Sequence, residues 1–410
     1  MRAASPLARA ARLAWLGGIA ALLLVTGCQS ARQFAPTYLL VPPEPVAVTP
    51  PLWGTLEVGP WNVGLRVRPI PPDTADASAL QLTLWYPARG GDPTLRVHYR
   101  DYVGLSSTEE HPEATGDARL ANDAVTQYEQ RLIDHGVPEE STSAWLDSPM
   151  AAVPDAPPAP GRFPLVLMAQ GRDQSAHHQA VLAEYLASHG YVVATIPSTT
   201  RREPPGSDLD VLATARTQAH SLERVLRFLQ SDSRIDASRV AVVGHSLGAR
   251  AAFLFVLAHP ESAALVSLDG GLANQAGKDW LTGLPDFRAD SYRVPLLHVY
   301  QEGDAAMVPD FGLLESLRGA ERWRLRITGM RHLDFTSVGA ASLLAPGLAP
   351  VGSSEDIARG WATMASATRG FLDANVRRRP IIPGAPPPPP SALATPDAQW
   401  SLTHWAVGQP

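Results

Sequence analysis

Only one cysteine, Cys28, occurs in 410 residues, and it lies ahead of everything that reads as a folded domain. The domain therefore has no thiol nucleophile, no cysteine-bound metal and no internal disulfide to draw on. Basic charge is not in excess: 34 Lys and Arg face 40 Asp and Glu, and no basic block stands out. Nucleic acid is accordingly not an expected partner. Metal-ligand spacing is also lacking. His177 and His178 are adjacent, so on a helix they diverge by about 100° and cannot face one ion; neither a metal nor an organic cofactor is expected. The sequence carries no internal repeat. With 45% hydrophobic residues it can bury one large core, and stability has to come from there.

What is present begins at the amino terminus. Arg2, Arg9 and Arg12 surround or precede an apolar run from Leu13 to Val25, shorter than the about 20 residues of a spanning helix. The run closes on "VTGC", a cysteine after a small residue at the expected cut. This is a lipoprotein type of secretory signal: residues 1–27 are expected to be removed and Cys28 to carry lipid, which anchors a chain without spanning the bilayer. An uncleaved signal anchor or an ordinary signal peptide is the alternative. Gln29 stands where an aspartate would suggest inner-membrane retention, so the expected location is the cell envelope, at the outer membrane if the host is Gram-negative.

Residues 28–52 read as a proline-rich tether ("VPPEPVAVTPPLW"), 53–376 as the folded domain, and 377–410 as a proline-rich tail opening on "RRRPIIPGAPPPPPSALATP". The last residues of the tail either pack back through Trp400 and Trp405 or stay loose. Inside the domain, short β-rich runs at 80–87, 163–169, 191–196, 239–244, 264–269, 294–300 and 322–328 alternate with helical patterns at 175–189, 208–231, 247–259, 311–319 and 355–375. Most of the runs are apolar throughout, as strands covered on both faces are. The expected fold class is α/β, a mostly parallel central sheet with helices on both faces. Segments 56–68 and 80–87 have no helix between them and are expected to pair as an antiparallel hairpin. Residues 99–160 form an insertion between the second and third strands, read either as one or two helices over the mouth of a site or as a surface elaboration.

The chemistry centres on "VAVVGHSLGARAAF" (242–255). Glycine-X-serine-X-glycine alone is a weak signal, but here it follows an apolar strand and opens a helix. That is the setting of a nucleophile elbow, in which a tight turn lifts a serine hydroxyl clear of the sheet and points the next amide at the reacting carbonyl. Ser246 is thus the candidate nucleophile and the Leu247 amide a candidate oxyanion donor. A serine needs a base, and the chain order serine, acid, histidine selects His332 in "ITGMRHLDF", directly after the last apolar strand. His298 lies inside a strand and His259 closes a helix, so both read as structural; His245 reads as packing. For the acid, Asp269 ends "ALVSLDGG" and Asp304 lies in "VYQEGDAAMVP". The two glycines behind Asp269 favour it, Asp304 could cap the helix near 311, and Asp334 is a third, weaker candidate. The second oxyanion donor is expected in "LMAQGRDQ", at the amide of Arg172, with Gln170 shaping the loop.

These segments resemble the α/β-hydrolase superfamily and, more narrowly, platelet-activating factor acetylhydrolase and its bacterial relatives. "GPWNVGLRV" and "LWYPA" are similar to that group's opening strands. "FPLVLMAQGRDQSAHHQAVLAEYLASHGYVVATI" is similar to its oxyanion loop, first helix and fourth strand. "GHSLGA", "SLDGG" and "HLDF" resemble its serine, aspartate and histidine segments in the same order. The likeness covers roughly 56–375 without 99–160, and implies Ser246, Asp269 and His332 as a triad with Leu247 and Arg172 as oxyanion donors. Gln170 departs from the histidine usual before the loop glycine, and Ala249 from a frequent glycine. With the anchor expected at Cys28, the reading is a lipid-anchored serine hydrolase acting on carboxylic esters without a cofactor, and the resemblance implies a small-molecule or lipid ester with a short acyl group. Because the superfamily also holds cutinases, dienelactone hydrolases, peptidases and inactive members, two other readings stand beside it. One is an amide, peptide or dienelactone hydrolase with the same triad. The other is a catalytically silent envelope protein that binds a partner.

Overall fold

The computed structural model describes residues 49–74, 77–198, 210–285, 287–304, 307–348, 353–377 and 399–409. The signal sequence, Cys28 and most of both proline-rich segments lie outside the described residues. Ten strands form one sheet: β1 (Asn62–Ile70), β2 (Leu80–Ala88), β3 (Ala152–Pro154), β4 (Phe163–Ala169), β5 (Val192–Thr195), β6 (Ile235–His245), β7 (Ala264–Leu268), β8 (Leu296–Tyr300), β9 (Arg322–Ile327) and β10 (Trp400–Trp405). Their order is β10-β9-β8-β7-β6-β4-β5-β2-β1-β3. Neighbours from β5 through β9 are parallel, whereas β1, β2 and β10 pair antiparallel with β2, β5 and β9.

The apolar strands are explained by two cores. In β4 every residue is buried; Val166 and Met168 enter one hydrophobic cluster, while Leu165, Leu167 and Ala169 enter the other. Successive side chains of a strand point to opposite faces, so a strand covered on both sides must be apolar at every position. The helices are α1 (Tyr99–Leu105), α2 (Ala118–Asp134), α3 (Glu139–Leu146), α4 (Ala180–Ser188), α5 (Val211–Leu229), α6 (Leu247–Ala258), α7 (Gln275–Thr282), α8 (Gly312–Ser316), α9 (Ser337–Ala340) and α10 (Ser354–Val376). α4 and α10 bury against the first core, α5 and α6 against the second. The fold class expected from the sequence is the one observed.

Three boundaries differ from the sequence reading. The stretch taken as the end of the tether at 52 is already folded: Pro51–Trp53 form a 3₁₀ turn that buries Leu52 and Trp53. The tail expected over 377–410 is likewise not all tail. Residues 400–405 pair with β9 along six positions, Trp323 stacks on His404, and Arg324 lies 5.2 Å from the Trp405 ring centre. The insertion at 99–160 is larger in structure than one or two helices. It holds α1, α2 and α3, and ends in β3, which extends the sheet beyond β1.

A buried carboxylate fastens this insertion. Glu184 on α4 accepts from Tyr102 Oη (2.6 Å) on α1 and from the amides of Ala151 (2.8 Å) and Ala152 (3.0 Å). Tyr102 in turn accepts from Trp85 Nε1 at 2.8 Å. Burial raises the Glu184 carboxyl to about 7, against the downward pull of its three donors. Its ordinary value is about 4.3, so between these limits the folded chain holds more protons than the unfolded one. Stability therefore falls as pH rises through that window, by on the order of 3 kcal/mol. Urea midpoints measured at about pH 5 and about pH 8 are expected to differ less in Glu184→Gln than in the parent; an unchanged difference would assign the slope to another group.

Candidate active site

The junction of β6 and α6 is a strained turn. Ser246 has φ +54° and ψ −121°, a left-handed backbone that non-glycine residues rarely adopt. The flanking glycines leave room for it. A Cβ on Gly244 would lie 2.5 Å from the Gly248 carbonyl oxygen, and one on Gly248 would lie 2.2 Å from that of Ala169. Backbone bonds fix the turn: the Ser246 amide donates to the Leu268 carbonyl (3.2 Å), and the Gly271 amide donates to the Ser246 carbonyl (3.0 Å). The departure at Ala249 has a partner here, because a Cβ on Gly270 would meet the Ala249 methyl at 2.4 Å.

His332 opens a 3₁₀ turn (His332–Phe335) after β9 and returns to the carboxyl edge of the sheet. Its Nε2 lies 2.8 Å from Ser246 Oγ and its Nδ1 lies 2.6 Å from Asp269 Oδ2. A carboxylate accepts, so Nδ1 carries the ring proton and Nε2 is left to accept from the serine hydroxyl. The imidazole is one-fifth exposed and the carboxylate nearly buried. Three segments separated by 63 and 86 residues thus meet in a row. The contact with His332 Nδ1 belongs to Asp269, and the other two acids make different bonds. The Asp304 amide donates to Gln301 Oε1 at 2.7 Å, and Asp304 is not the cap near 311: the N-cap of α8 is Phe311, and the side chain that reaches the helix start is that of Asp310, whose Oδ1 accepts from the Gly312 amide at 2.8 Å. Asp334 Oδ2 accepts the Arg331 amide at 2.7 Å and so closes the turn that carries His332; burial raises its carboxyl.

The register of the sheet positions the two candidate oxyanion donors. Ala169 at the end of β4 pairs with Gly244 of β6, so Arg172 and Leu247 each stand three residues beyond a matched pair. Leu247 opens α6, where an amide has no carbonyl four residues earlier to meet. In the facing loop the Gly171 amide donates inward to Gln174 Oε1 (2.8 Å), and Asp173 adopts φ +59° to complete the turn. The Arg172 guanidinium is half exposed, 3.6 Å from Asp173. Gln170 shapes the loop from beneath: its Nε2 donates to Thr195 Oγ1 (2.8 Å), and its carbonyl accepts from Gln218 (2.9 Å).

Two expectations about histidines need correction. His245 is more than packing. It is buried, its ring stacks on His332 with centroids 4.8 Å apart, and it lies between the His332 carbonyl (Nε2, 3.0 Å) and Gln174 Oε1 (Nδ1, 3.1 Å). Both neighbours are oxygen acceptors and the neutral ring has one N–H, so His245 donates to one of them and packs against the other. Burial and the neighbouring His332 hold it down to about 3, so its ring is neutral at ordinary pH. His177 and His178 lie in a 3₁₀ turn, whose step of about 120° per residue separates them further than an α-helix would, yet their side chains swing together and the rings stack 4.0 Å apart. His177 is held by Tyr99 of the insertion (3.1 Å). His298 is buried against Ser267 Oγ (2.9 Å), and His259 closes α6 beside Glu261, both as expected. No group of three metal-ligating side chains occurs among the described residues.

Over 83% of the chain the structure follows a ferulic acid esterase from Streptomyces cinnamoneus, covering 96% of that protein with a TM-score of 0.55 at 22% identity. This chain has the α/β-hydrolase fold. The family described as Chlorophyllase matches residues 126–280. Cutinase 1 of Thermobifida cellulosilytica is 37% identical over 89 residues, 22% of this chain and 32% of that enzyme. Chlorophyllase-1 of Citrus sinensis is 26% identical over 146 residues, 36% and 43% of the two chains. The chain thus spans less than half the length of these curated relatives.

Proposed function

We propose that this chain is a serine hydrolase that cleaves carboxylic esters. The observation that carries the reading is the hydrogen-bonded row from Ser246 through His332 to Asp269, at 2.8 and 2.6 Å. Ser246 Oγ attacks the ester carbonyl while His332 Nε2 takes its proton, and Asp269 stabilises the imidazolium that forms. The amides of Leu247 and Arg172 hold the developing oxyanion. His332 returns the proton to the leaving alcohol; water, activated by the same imidazole, then releases the acid from Ser246. No step calls on a metal or an organic cofactor. The names of the relatives, cutinase, chlorophyllase and ferulic acid esterase, support an ester over an amide.

The proposed substrate class is a small or lipid ester with a short acyl group, in keeping with the motif likeness to platelet-activating factor acetylhydrolase. A lipid on Cys28 would hold the enzyme at the envelope membrane. Short-chain p-nitrophenyl esters assayed beside aminoacyl p-nitroanilides test the bond type: ester turnover exceeding amide turnover by at least about 10²-fold is expected, and the reverse order would sink the ester reading. Anchoring is checked by feeding an alkyne fatty acid to the producing cells. The protein is expected to take up the label and Cys28→Ser to lose it.

A further inference from the structure

Gln301, the residue after β8, is fully buried and directs its backbone amide and both polar ends of its side chain to the acid end of the row. Its backbone amide reaches Asp269 Oδ1 at 3.5 Å, its Nε2 donates to Asp269 Oδ2 at 3.3 Å, and its Oε1 accepts the Asp304 amide at 2.7 Å. The orientation of the side-chain amide follows from the last contact. A backbone N–H only donates, so the oxygen must face Asp304 and the NH₂ must face the carboxylate. Asp269 needs such support. Its φ is +40°, left-handed backbone for a residue with a side chain, and beyond its amide bond to the Val299 carbonyl (2.7 Å) the carboxylate has to be turned toward His332. Oδ2 is the oxygen shared by Gln301 and His332.

We propose that Gln301 is a positioning residue of this site, which sets the Asp269 carboxylate against His332 through its side-chain NH₂. The proposal rests on the reading of Ser246, His332 and Asp269 as a triad. It also explains why the two acidic candidates of the sequence lie so near each other yet differ in role: Gln301 stands between them, donating to one and accepting from the backbone of the other.

Two variants separate positioning from loop support. Gln301→Met keeps the length and loses both side-chain bonds. Gln301→Glu keeps the acceptor for the Asp304 amide and replaces the donor with a second carboxylate. In ester hydrolysis both are expected to lose about 10- to 100-fold in kcat with KM changed less than about twofold, as for removal of a hydrogen bond to a charged group. The acid limb of kcat/KM is expected to move to higher pH, because a carboxylate without its donor holds the imidazolium more tightly. A Gln301→Glu enzyme with the parent's kcat and pH profile would overturn the proposal and leave the residue a support for the Asp304 loop. So would a loss of kcat with an unmoved acid limb. Failure of the triad reading looks different, since the parent protein itself would then neither hydrolyse esters nor react with a fluorophosphonate.

Discussion

Ser246→Ala is expected to abolish covalent labelling by a fluorophosphonate and to lower ester turnover by roughly six orders of magnitude. The size follows from the position of the residue. Its Oγ is the atom 2.8 Å from His332 Nε2, at a turn whose backbone is bent to present it. Alanine fits the same space, and the φ of +54° strains both residues, so stability is expected to change little. Any remaining turnover would come from the oxyanion amides and substrate binding alone. Labelling that persists at full rate in Ser246→Ala would move the nucleophile elsewhere. The measurement is intact mass before and after reaction, with hydrolysis followed on the same sample.

The second large effect separates the acids. Asp269→Asn is expected to lower kcat by about 10⁴-fold. An asparagine offers its NH₂ or its oxygen to His332 Nδ1, and when it offers the NH₂ the ring must carry its proton on Nε2. In that tautomer Nε2 faces Ser246 with a hydrogen rather than a lone pair, and cannot take the serine proton. Asp304→Asn is expected to change kcat less than about threefold, because the carboxylate that meets His332 Nδ1 is that of Asp269, and the backbone amide that Asp304 gives to Gln301 survives the substitution. A collapse of turnover in Asp304→Asn with little change in Asp269→Asn would reverse the assignment. Equal and large losses in both would point to the loop between them instead of a single carboxylate.

The sheet and its helices were legible because both faces of the central strands are covered. Such strands become unbroken apolar runs, and β4 begins and ends where "FPLVLMA" does. Ser246 and His332 were legible for another reason: each is tied to a local pattern, an elbow between strand and helix and a loop just after a strand. Asp269 needed the strand order as well, since β7 lies between β6 and β8. Gln301 and His245 were hidden because their importance comes from contacts across 32, 71 and 87 residues, which leave no local period. The insertion was equally opaque. Its hold on the domain is a glutamate in the middle of an apolar helix, a residue that looks like an exception until its donors from α1 and β3 are seen. The final strand was masked by the prolines before it, although "WSLTHW" has the aromatic and β-branched composition of an edge strand.

That final strand bears on how the gene should be cut. An expression boundary drawn at residue 377, where the prolines start, would strip β9 of its outer neighbour and remove the Trp405 ring from beside Arg324. The bared row of amides and carbonyls would then be a template for a second copy of the shortened chain. A piece ending there would be prone to clump in the tube for reasons unrelated to its chemistry, and the safe stop codon lies no earlier than after Gln409, whose carbonyl accepts from the buried Arg322 at 2.6 Å.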